Sequence, residues 1–169
     1  MSKRSEAIFN TAAIARVDDA LVESLKARAA AQPDVVFRYC LHRSVQEPVQ
    51  QMVLVHRRHA YVPPHKHERA TESFCVLEGR MLVAFFDAAG HVAECFEMAA
   101  KGSGSCFLCR AEKGRWHTML PLTEFVVFLE TTEGPFASES HNTFARWAPA
   151  EDDTAGIDAF RNKLLAARR

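Results

Sequence analysis

The sequence predicts an all-β domain with one helix before it and one after it. Short runs rich in β-branched and aromatic residues follow one another from residue 35 to residue 130, and turn signals such as "DAAG" and "KGSG" separate them. Short strands at this regular spacing are typical of an antiparallel sandwich or barrel. The predicted strands are 35–41, 51–56, 73–79, 80–86, 91–98, 105–109, 116–120 and 125–130.

A helix is predicted on each side of these strands. Residues 17–31 place apolar side chains at helical spacing, and Asp18 or Asp19 can cap the first turn. A loop rich in proline and polar residues follows the last strand, and an amphipathic pattern returns at residues 157–165. This order predicts a single domain in three parts: an N-terminal segment with a helix (1–34), a β body (35–131), and a C-terminal loop and helix packed on that body (132–169).

The overall composition restricts the partners of the chain. Lys+Arg and Asp+Glu both number 21, so no net positive charge attracts nucleic acid or an anionic membrane surface. No apolar run approaches the ~18 residues that span a bilayer, and Glu6 and Asn10 interrupt a faint likeness of the N-terminus to a signal peptide. Five cysteines, an odd number, favour reduced thiols. We therefore expect a cytoplasmic protein that binds neither nucleic acid nor membrane.

The segment "VPPHKHERATESFCVLEG", Val62 to Gly79, places two histidines and a glutamate in a strand-like stretch. His65 and His67 are two residues apart, so in a strand both side chains point to the same face, ~7 Å from each other. A turn after them can start the next strand at Glu72, on its apolar face. A carboxylate beside two imidazoles on an apolar face is costly unless a cation compensates its charge. A divalent metal ion would provide that compensation.

A further ligand is expected from another strand of the sheet. The best candidate is His117 in "EKGRWHTML", because it follows a glycine turn and begins an apolar strand. Three histidines and one glutamate suit Zn, Fe, Mn, Ni or Co, and they leave positions on the metal open to water or a small molecule. A barrel without metal, in which these histidines are structural polar groups, is the alternative.

These residues carry a resemblance to a known family. The segment "HKHERATESFCVLEG" matches the first signature of the cupin superfamily, HxH(x)4E(x)6G, at His65, His67, Glu72 and Gly79, and "GRWH" resembles the end of the second signature, with His117 as the remaining ligand. Further segments resemble WbuC-type cupin metalloproteins, a bacterial group often encoded near O-antigen (lipopolysaccharide) biosynthesis genes. Those segments are "EPVQQM", "YVPPHKH", "WHTM", "EGPF" and "FARWAPAE".

The resemblance implies a fold, a cofactor and two classes of function. It implies a cupin barrel (a double-stranded β-helix or jelly roll) with a bound divalent metal, and a homodimer. The first function is that of a metal-dependent enzyme on a small oxygen-rich molecule, a sugar or sugar derivative linked to surface polysaccharide biosynthesis. Isomerase, oxygenase and lyase chemistry all stay open for it. The second is a non-catalytic module that binds or senses a small molecule through the metal.

Other residues near the motif are candidates for a function in the cavity. The phenol of Tyr61, beside the ligand strand, can act as an acid, a base or a hydrogen-bond donor to substrate, and the alternative is a packing role. His56 and His59 are expected in an exposed loop before the motif, and the alternative is that they line the mouth of the site. Guanidinium groups match phosphate or carboxylate, and the arginines that can reach an anionic ligand, or else remain on the solvated surface, are Arg38, Arg69, Arg80, Arg110 and Arg115.

Overall fold

Two facing β-sheets, each covered on its outer side by one helix, form the body of the protein. The computed structural model describes residues 4–32, 35–136 and 142–168. The strands are β1 (Arg4–Phe9), β2 (Val35–Cys40), β3 (Val49–Arg57), β4 (His65–His67), β5 (Glu72–Glu78), β6 (Arg80–Phe86), β7 (Val92–Ala99), β8 (Leu108–Ala111), β9 (Trp116–Pro121), β10 (Phe125–Glu133) and β11 (Asn142–Phe144), and the helices are α1 (Asp19–Ala31) and α2 (Thr154–Ala167).

From β3 onward the chain passes repeatedly from one sheet to the other. One sheet has six strands in the order β1-β2-β3-β10-β5-β8, and the other has five in the order β11-β4-β9-β6-β7. The pairings within both sheets are antiparallel, except that β1 runs parallel to β2. The motif strands therefore separate: β4 lies in the five-stranded sheet and β5 in the six-stranded sheet. The space between the sheets is where residues of these two strands can meet.

Three apolar clusters hold these layers together. Between the sheets, Phe74 and Phe128 from one side pack with Met81 and Met98 from the other, all fully buried. Helix α1 buries Leu25 and Ala29 against the outer face of the six-stranded sheet. Helix α2 buries Leu164 against β6 and β7 in the same way. No helix in the described ranges is long and apolar enough to cross a membrane.

The predicted all-β fold with a helix at each end is confirmed. Helix α1 begins where the pattern predicted, because the Asp18 side chain accepts a hydrogen bond from the Leu21 backbone N–H at 2.9 Å. Strand β5 begins at Glu72, also as predicted. The predicted strand 105–109 is displaced. The chain crosses between the sheets there, so Cys106 bridges to Met98 while the strand itself starts three residues later.

Two strands were not predicted from the sequence. Strand β1 pairs with β2 at one end of the six-stranded sheet, and the three-residue β11 pairs with β4 at the end of the other. Both lie outside residues 35–131, so the segments before and after the central body each add a strand to it. Short strands of this kind obtain their stability from the neighbouring strand, and their own sequences carry little periodic signal. The three-part division of the domain stays a prediction.

The glycine of the motif makes the change of sheet possible. Gly79 connects β5 to β6 with φ of +78°, a conformation that L side chains rarely adopt. A Cβ atom at this position would collide with the backbone oxygen of Phe125 and the hydroxyl of Thr123. Gly79 is therefore required both for the turn and for the close approach of β10.

Candidate metal centre

The three histidines of the motifs lie side by side on two neighbouring strands. His65 and His67 point the same way from β4, and His65 is the cross-strand partner of His117 on β9. The ring centroids of His65 and His117 are 4.4 Å apart, and those of His65 and His67 are 5.2 Å apart. One nitrogen from each of the three rings lies within 4.8 Å of the others. The predicted convergence of the three imidazoles is therefore present in the folded chain.

Backbone carbonyls orient two of these rings. His65 Nδ1 lies 2.9 Å from the oxygen of Pro63, and His117 Nδ1 lies 2.9 Å from the oxygen of Arg115. A carbonyl oxygen only accepts, so each Nδ1 must carry the proton and donate it. The Nε2 atoms of both rings then keep their lone pairs, which is the tautomer a metal ligand needs.

Glu72 reaches the same point from the opposite sheet. Its Oε1 lies 2.7 Å from His117 Nε2 and its Oε2 lies 3.1 Å from His67 Nε2. The exposed fractions of Glu72, His67 and His117 are only 3%, 8% and 1%. Four potential ligands, three imidazole nitrogens and one carboxylate, thus meet in a site from which water is largely excluded.

The electrostatics of the site keep the ligand groups in their metal-binding protonation states. Burial, together with the charge at His117, lowers the pKa of His65 to about 3, so its imidazole is neutral at neutral pH. Burial alone would raise the pKa of Glu72, but contacts with His117 and His67, when these rings carry the proton that faces the carboxylate, outweigh burial and hold that pKa well below its usual range. A neutral imidazole and an ionised carboxylate are the forms that bind metal.

One contact shows that the four groups alone do not satisfy one another. His117 Nε2 and Glu72 Oε1 lie 2.7 Å apart, yet both are buried without a hydrogen-bond partner of acceptable geometry. With the proton of His117 on Nδ1, both atoms are acceptors, and two buried acceptors in contact repel each other. A cation between them removes this conflict. The residues present therefore fit a divalent metal, with the mixed nitrogen and oxygen set expected for Zn, Fe, Mn, Ni or Co.

A cavity of about 500 Å³ adjoins the histidines. His65 and His67 line one of its sides, and strands β2, β3 and β10 of the six-stranded sheet line another. Phe136 and Phe144 belong to its wall, and the Phe144 ring lies 5.9 Å from that of His65. The volume falls in the range of roughly 300–1,000 Å³ typical of sites for small organic ligands.

Tyr61 lines the cavity, and its hydroxyl already has a protein partner. The hydroxyl donates to the backbone oxygen of Pro149 at 2.9 Å, and the ring packs edge-on against Phe160 of α2. Burial, and to a smaller extent the negative charge of Glu151, raises the pKa of Tyr61 to about 12. These contacts connect the C-terminal segment to the barrel, as the packing alternative requires, and a role of Tyr61 as acid or base stays a prediction.

The expectation of an exposed loop was wrong for His56, which lines the cavity, as the alternative proposed. It lies on β3 rather than in an exposed loop, its exposed fraction is 5%, and its ring packs edge-on against Phe128. The alternation of β3 explains this, because His56 follows Met52 and Leu54 on the inward face of the strand. His59, by contrast, is exposed as expected.

One of the five candidate arginines lies in the cavity wall. Arg38 lines the cavity, whereas the other four are exposed: Arg69, Arg80, Arg110 and Arg115.

One acidic residue of the cavity was not identified from the sequence. Glu130 lies on β10 and lines the cavity. Burial, with the negative charge of Glu72 adding to it and Arg38 opposing it, raises the pKa of Glu130 to about 7. A signal was present, because Glu130 follows Val126 and Phe128 at even spacing in "FVVFLE" and must share their inward face.

Comparison with known proteins supports the fold. A family described as a domain of unknown function, DUF6016, matches residues 17–98, a little under half of the chain. No curated protein sequence matches the chain significantly. Among solved structures, CapF in complex with the inhibitor 3-isopropenyl-tropolone is similar, with a TM-score of 0.51 at 16% identity over 63% of this chain and 30% of CapF.

Two further structures resemble the chain less closely in shape. Oxalate decarboxylase from Lactobacillus farciminis, as its formate complex, has a TM-score of 0.46 at 21% identity over 59% of this chain and 28% of its own. Oxalate oxidase with the substrate analogue glycolate has a TM-score of 0.47 at 17% identity over 57% of this chain and 46% of its own. The chain spans less than half the length of each of these three structures.

The protein has the cupin fold. Its two facing sheets, its helices and its likeness to CapF confirm this prediction, and three histidines stand together at the place where the motif predicted a metal.

Proposed function

We propose that the protein binds a divalent metal ion through His65, His67, Glu72 and His117. The observation that carries this proposal is the close contact of two buried atoms, His117 Nε2 and Glu72 Oε1, at 2.7 Å without a hydrogen bond. A cation held by both atoms and by the two remaining imidazoles removes the repulsion between them. The identity of the metal is left to experiment.

We further propose that the bound metal acts on a small oxygen-rich ligand in the adjoining cavity. A metal in such a site can polarise a carbonyl or lower the pKa of bound water toward neutrality. The protein contributes in two further ways. The apolar walls of the cavity exclude water, and hydrogen bonds from His65 and His117 to backbone oxygens hold the two rings in place. A sugar or sugar derivative, in surface polysaccharide biosynthesis, is the ligand that the WbuC-type resemblance suggests.

Metal content is the first test of this proposal. We expect the purified protein to contain about one metal ion per chain by elemental analysis, and the double variant His65→Ala/His67→Ala to contain almost none. His59→Ala is the matched control, because His59 is an exposed histidine near the motif, and it should keep the metal. A wild-type protein that remains free of metal after incubation with each of the five candidate ions would refute the proposal.

Turnover is the second test. A screen of sugar phosphates and nucleotide sugars should reveal a reaction that EDTA abolishes and added metal restores. Isomerase, oxygenase and lyase products are the ones to look for. If Tyr61 is the acid or base, Tyr61→Phe should lower kcat by roughly 100-fold or more with unchanged metal content.

One observation favours a second function, that of a metal-dependent binding or sensing module without turnover. The hydroxyl of Tyr61, the residue predicted to move protons, donates to Pro149 and has a pKa of about 12. A module of this kind would be stabilised against heat by its ligand only when metal is bound, and the ligand would be recovered unchanged. Recovery of a chemically altered ligand decides for the enzyme.

The assembly and location of the protein are also proposals. A homodimer follows from the cupin resemblance, and sedimentation equilibrium should give a mass of about twice 18.9 kDa. A cytoplasmic location agrees with the state of the cysteines, all five of which are free. A monomeric mass at micromolar concentration would count against the dimer.

A further inference from the structure

Two side chains of opposite charge face the cavity without a direct partner among the residues that the structure describes. Arg38 on β2 and Glu130 on β10 both line it. The Nε atom of Arg38 is buried without a hydrogen-bond partner, and within the described ranges neither side chain takes part in a hydrogen bond or an ion pair. Their charges influence each other only at longer range.

Two neighbouring polar side chains of this wall, Gln50 and Thr132, are hydrogen-bonded within the protein. Gln50 donates to the backbone oxygens of Ser44 and Glu47, at 3.3 and 2.8 Å. Thr132 donates to the backbone oxygen of Thr71 at 3.2 Å. In contrast to Gln50 and Thr132, the charged pair keeps its hydrogen-bonding capacity for something that enters the cavity.

Arg38 is partly buried, and a guanidinium whose Nε atom is buried without a hydrogen-bond partner is costly. Arginine stays protonated in proteins, so it cannot escape the cost of burial by losing its charge. Replacing a buried charge by an apolar side chain of similar size is often neutral or stabilising. Arg38 therefore has no evident structural role, and an anionic ligand would give its guanidinium the partner it lacks.

The positions of Arg38 and Glu130 relative to the proposed metal ligands indicate which chemical groups a ligand of this cavity must carry. Arg38 and Glu130 belong to the six-stranded sheet, whereas His65 and His67 belong to the five-stranded sheet, and all four line the same cavity of about 500 Å³. A ligand that contacts both sides must carry a charged group at one end and free oxygen atoms at the other. The burial that raises the pKa of Glu130 to about 7 also allows its carboxyl group to donate a hydrogen bond near neutral pH.

We propose that the cavity binds a polyhydroxylated oxyanion, a sugar acid or a sugar phosphate. Its charged group is held by Arg38, one of its hydroxyls is hydrogen-bonded by Glu130, and its remaining oxygens face His65 and His67. The planar guanidinium suits carboxylate and phosphate equally. This inference rests on the proposed function for the metal, and it adds the charge of the ligand and the residue that recognises it.

The test compares three probes by calorimetric titration of the metal-loaded protein: D-gluconate, D-glucose 6-phosphate and D-glucose. We expect at least one anion to bind roughly tenfold or more tightly than neutral D-glucose, and the identity of that anion distinguishes carboxylate from phosphate. Arg38→Met should raise the Kd of that anion by roughly 10- to 100-fold. Arg38→Lys should retain part of the preference for the anion over D-glucose. Arg110→Met is the matched control, because Arg110 lies exposed on β8, and its affinities should be unchanged.

Two further measurements distinguish a role of Arg38 in ligand recognition from a role in protein stability. The metal content of Arg38→Met should equal that of the wild type, and its melting temperature without ligand should be equal or higher. A variant that melts earlier and binds the anions with unchanged affinity would show that Arg38 is structural and would overturn the inference.

Different experimental results would refute this inference and the metal proposal. A metal-loaded protein that binds neither anion, or binds D-glucose equally well, overturns the inference and leaves the metal centre intact. A protein that takes up no metal overturns the metal proposal. Anion binding by that protein, if lost in Arg38→Met, would still support the role of Arg38.

Discussion

Two inward-facing carboxylates on neighbouring strands have opposite pKa shifts. Glu72 lies between two imidazoles, so its pKa is lowered in spite of its burial. Glu130 lies one strand away without such a contact, so burial raises its pKa to about 7. The residues are of one type and the surroundings differ, which makes one a candidate ligand and the other a carboxyl that can be protonated near neutral pH.

This difference leads to a prediction for Glu130→Gln. In the unfolded chain the carboxyl has its ordinary pKa near 4.5, so between that pH and about 7 the folded protein binds the extra proton. The stability of the wild type therefore falls as the pH rises through this window. Glutamine does not titrate. The free energy of unfolding of the variant, relative to that of the wild type, should therefore rise by at least ~1 kcal/mol from pH 5 to pH 8.

Urea denaturation of the metal-free protein at both pH values measures this change. Glu133→Gln is the control, because Glu133 is exposed at the end of the same strand. An equal stability difference at pH 5 and pH 8 would show that Glu130 remains ionised in the folded protein.

At the scale of the elements, the position of the site depends on where the chain changes sheets. The histidine strand β4 and the glutamate strand β5 belong to different sheets, so the ligands face one another across the interior. The following turn at Gly79 returns the chain to the five-stranded sheet. A motif only fifteen residues long therefore builds both sides of the site because its strands lie in opposite layers.

Gly79→Ala and Gly114→Ala form a matched pair that tests this turn. The two glycines have nearly the same φ, +78° and +79°, but a Cβ atom would collide with Phe125 only at Gly79 and would meet nothing within 4 Å at Gly114. We expect Gly114→Ala to cost about 1–2 kcal/mol of unfolding free energy for the unfavourable φ. Gly79→Ala should cost at least ~1–3 kcal/mol more, since the backbone of β10 must move.

Chemical denaturation of the metal-free variants gives both values. Equal costs for the two substitutions would mean that β10 yields to the added methyl group without loss, and that the motif glycine is needed only for its backbone conformation.

At the scale of the whole molecule, the metal would connect the two sheets. Three of its proposed ligands belong to the five-stranded sheet and one to the six-stranded sheet. A ligand that binds only the folded state stabilises it by mass action, by about 4 kcal/mol at a thousandfold excess over Kd. For a chain of this size such a gain corresponds to a rise of about 10 °C in Tm.

We therefore expect Tm to rise by about 10 °C when metal is added to the EDTA-treated protein. His117→Ala should lose most of this rise, because His117 lies at the centre of the ligand set. His59→Ala should show the full effect. A wild-type Tm that is the same with metal and with EDTA would argue against an ion that joins the sheets.

The sequence alone determined the type of fold and the residues of the candidate site. Period-two patterns and turn residues predicted the strands of the central body, and the spacing of His65, His67 and Glu72 placed them on inward faces. These features are local, since alternation along a strand and the demands of a tight turn are set by neighbouring residues. They could therefore be read without knowing which strands pair.

Only the tertiary structure decided which groups share the cavity. His56, Arg38 and Glu130 are distant in sequence, and each lies on a strand whose inward face could not be matched with the others before the pairing was known. The short strands β1 and β11 likewise depend on partners far along the chain. The physical reason is the same in each case: burial and its effect on charge depend on packing between strands, and sequence spacing carries no information about that packing.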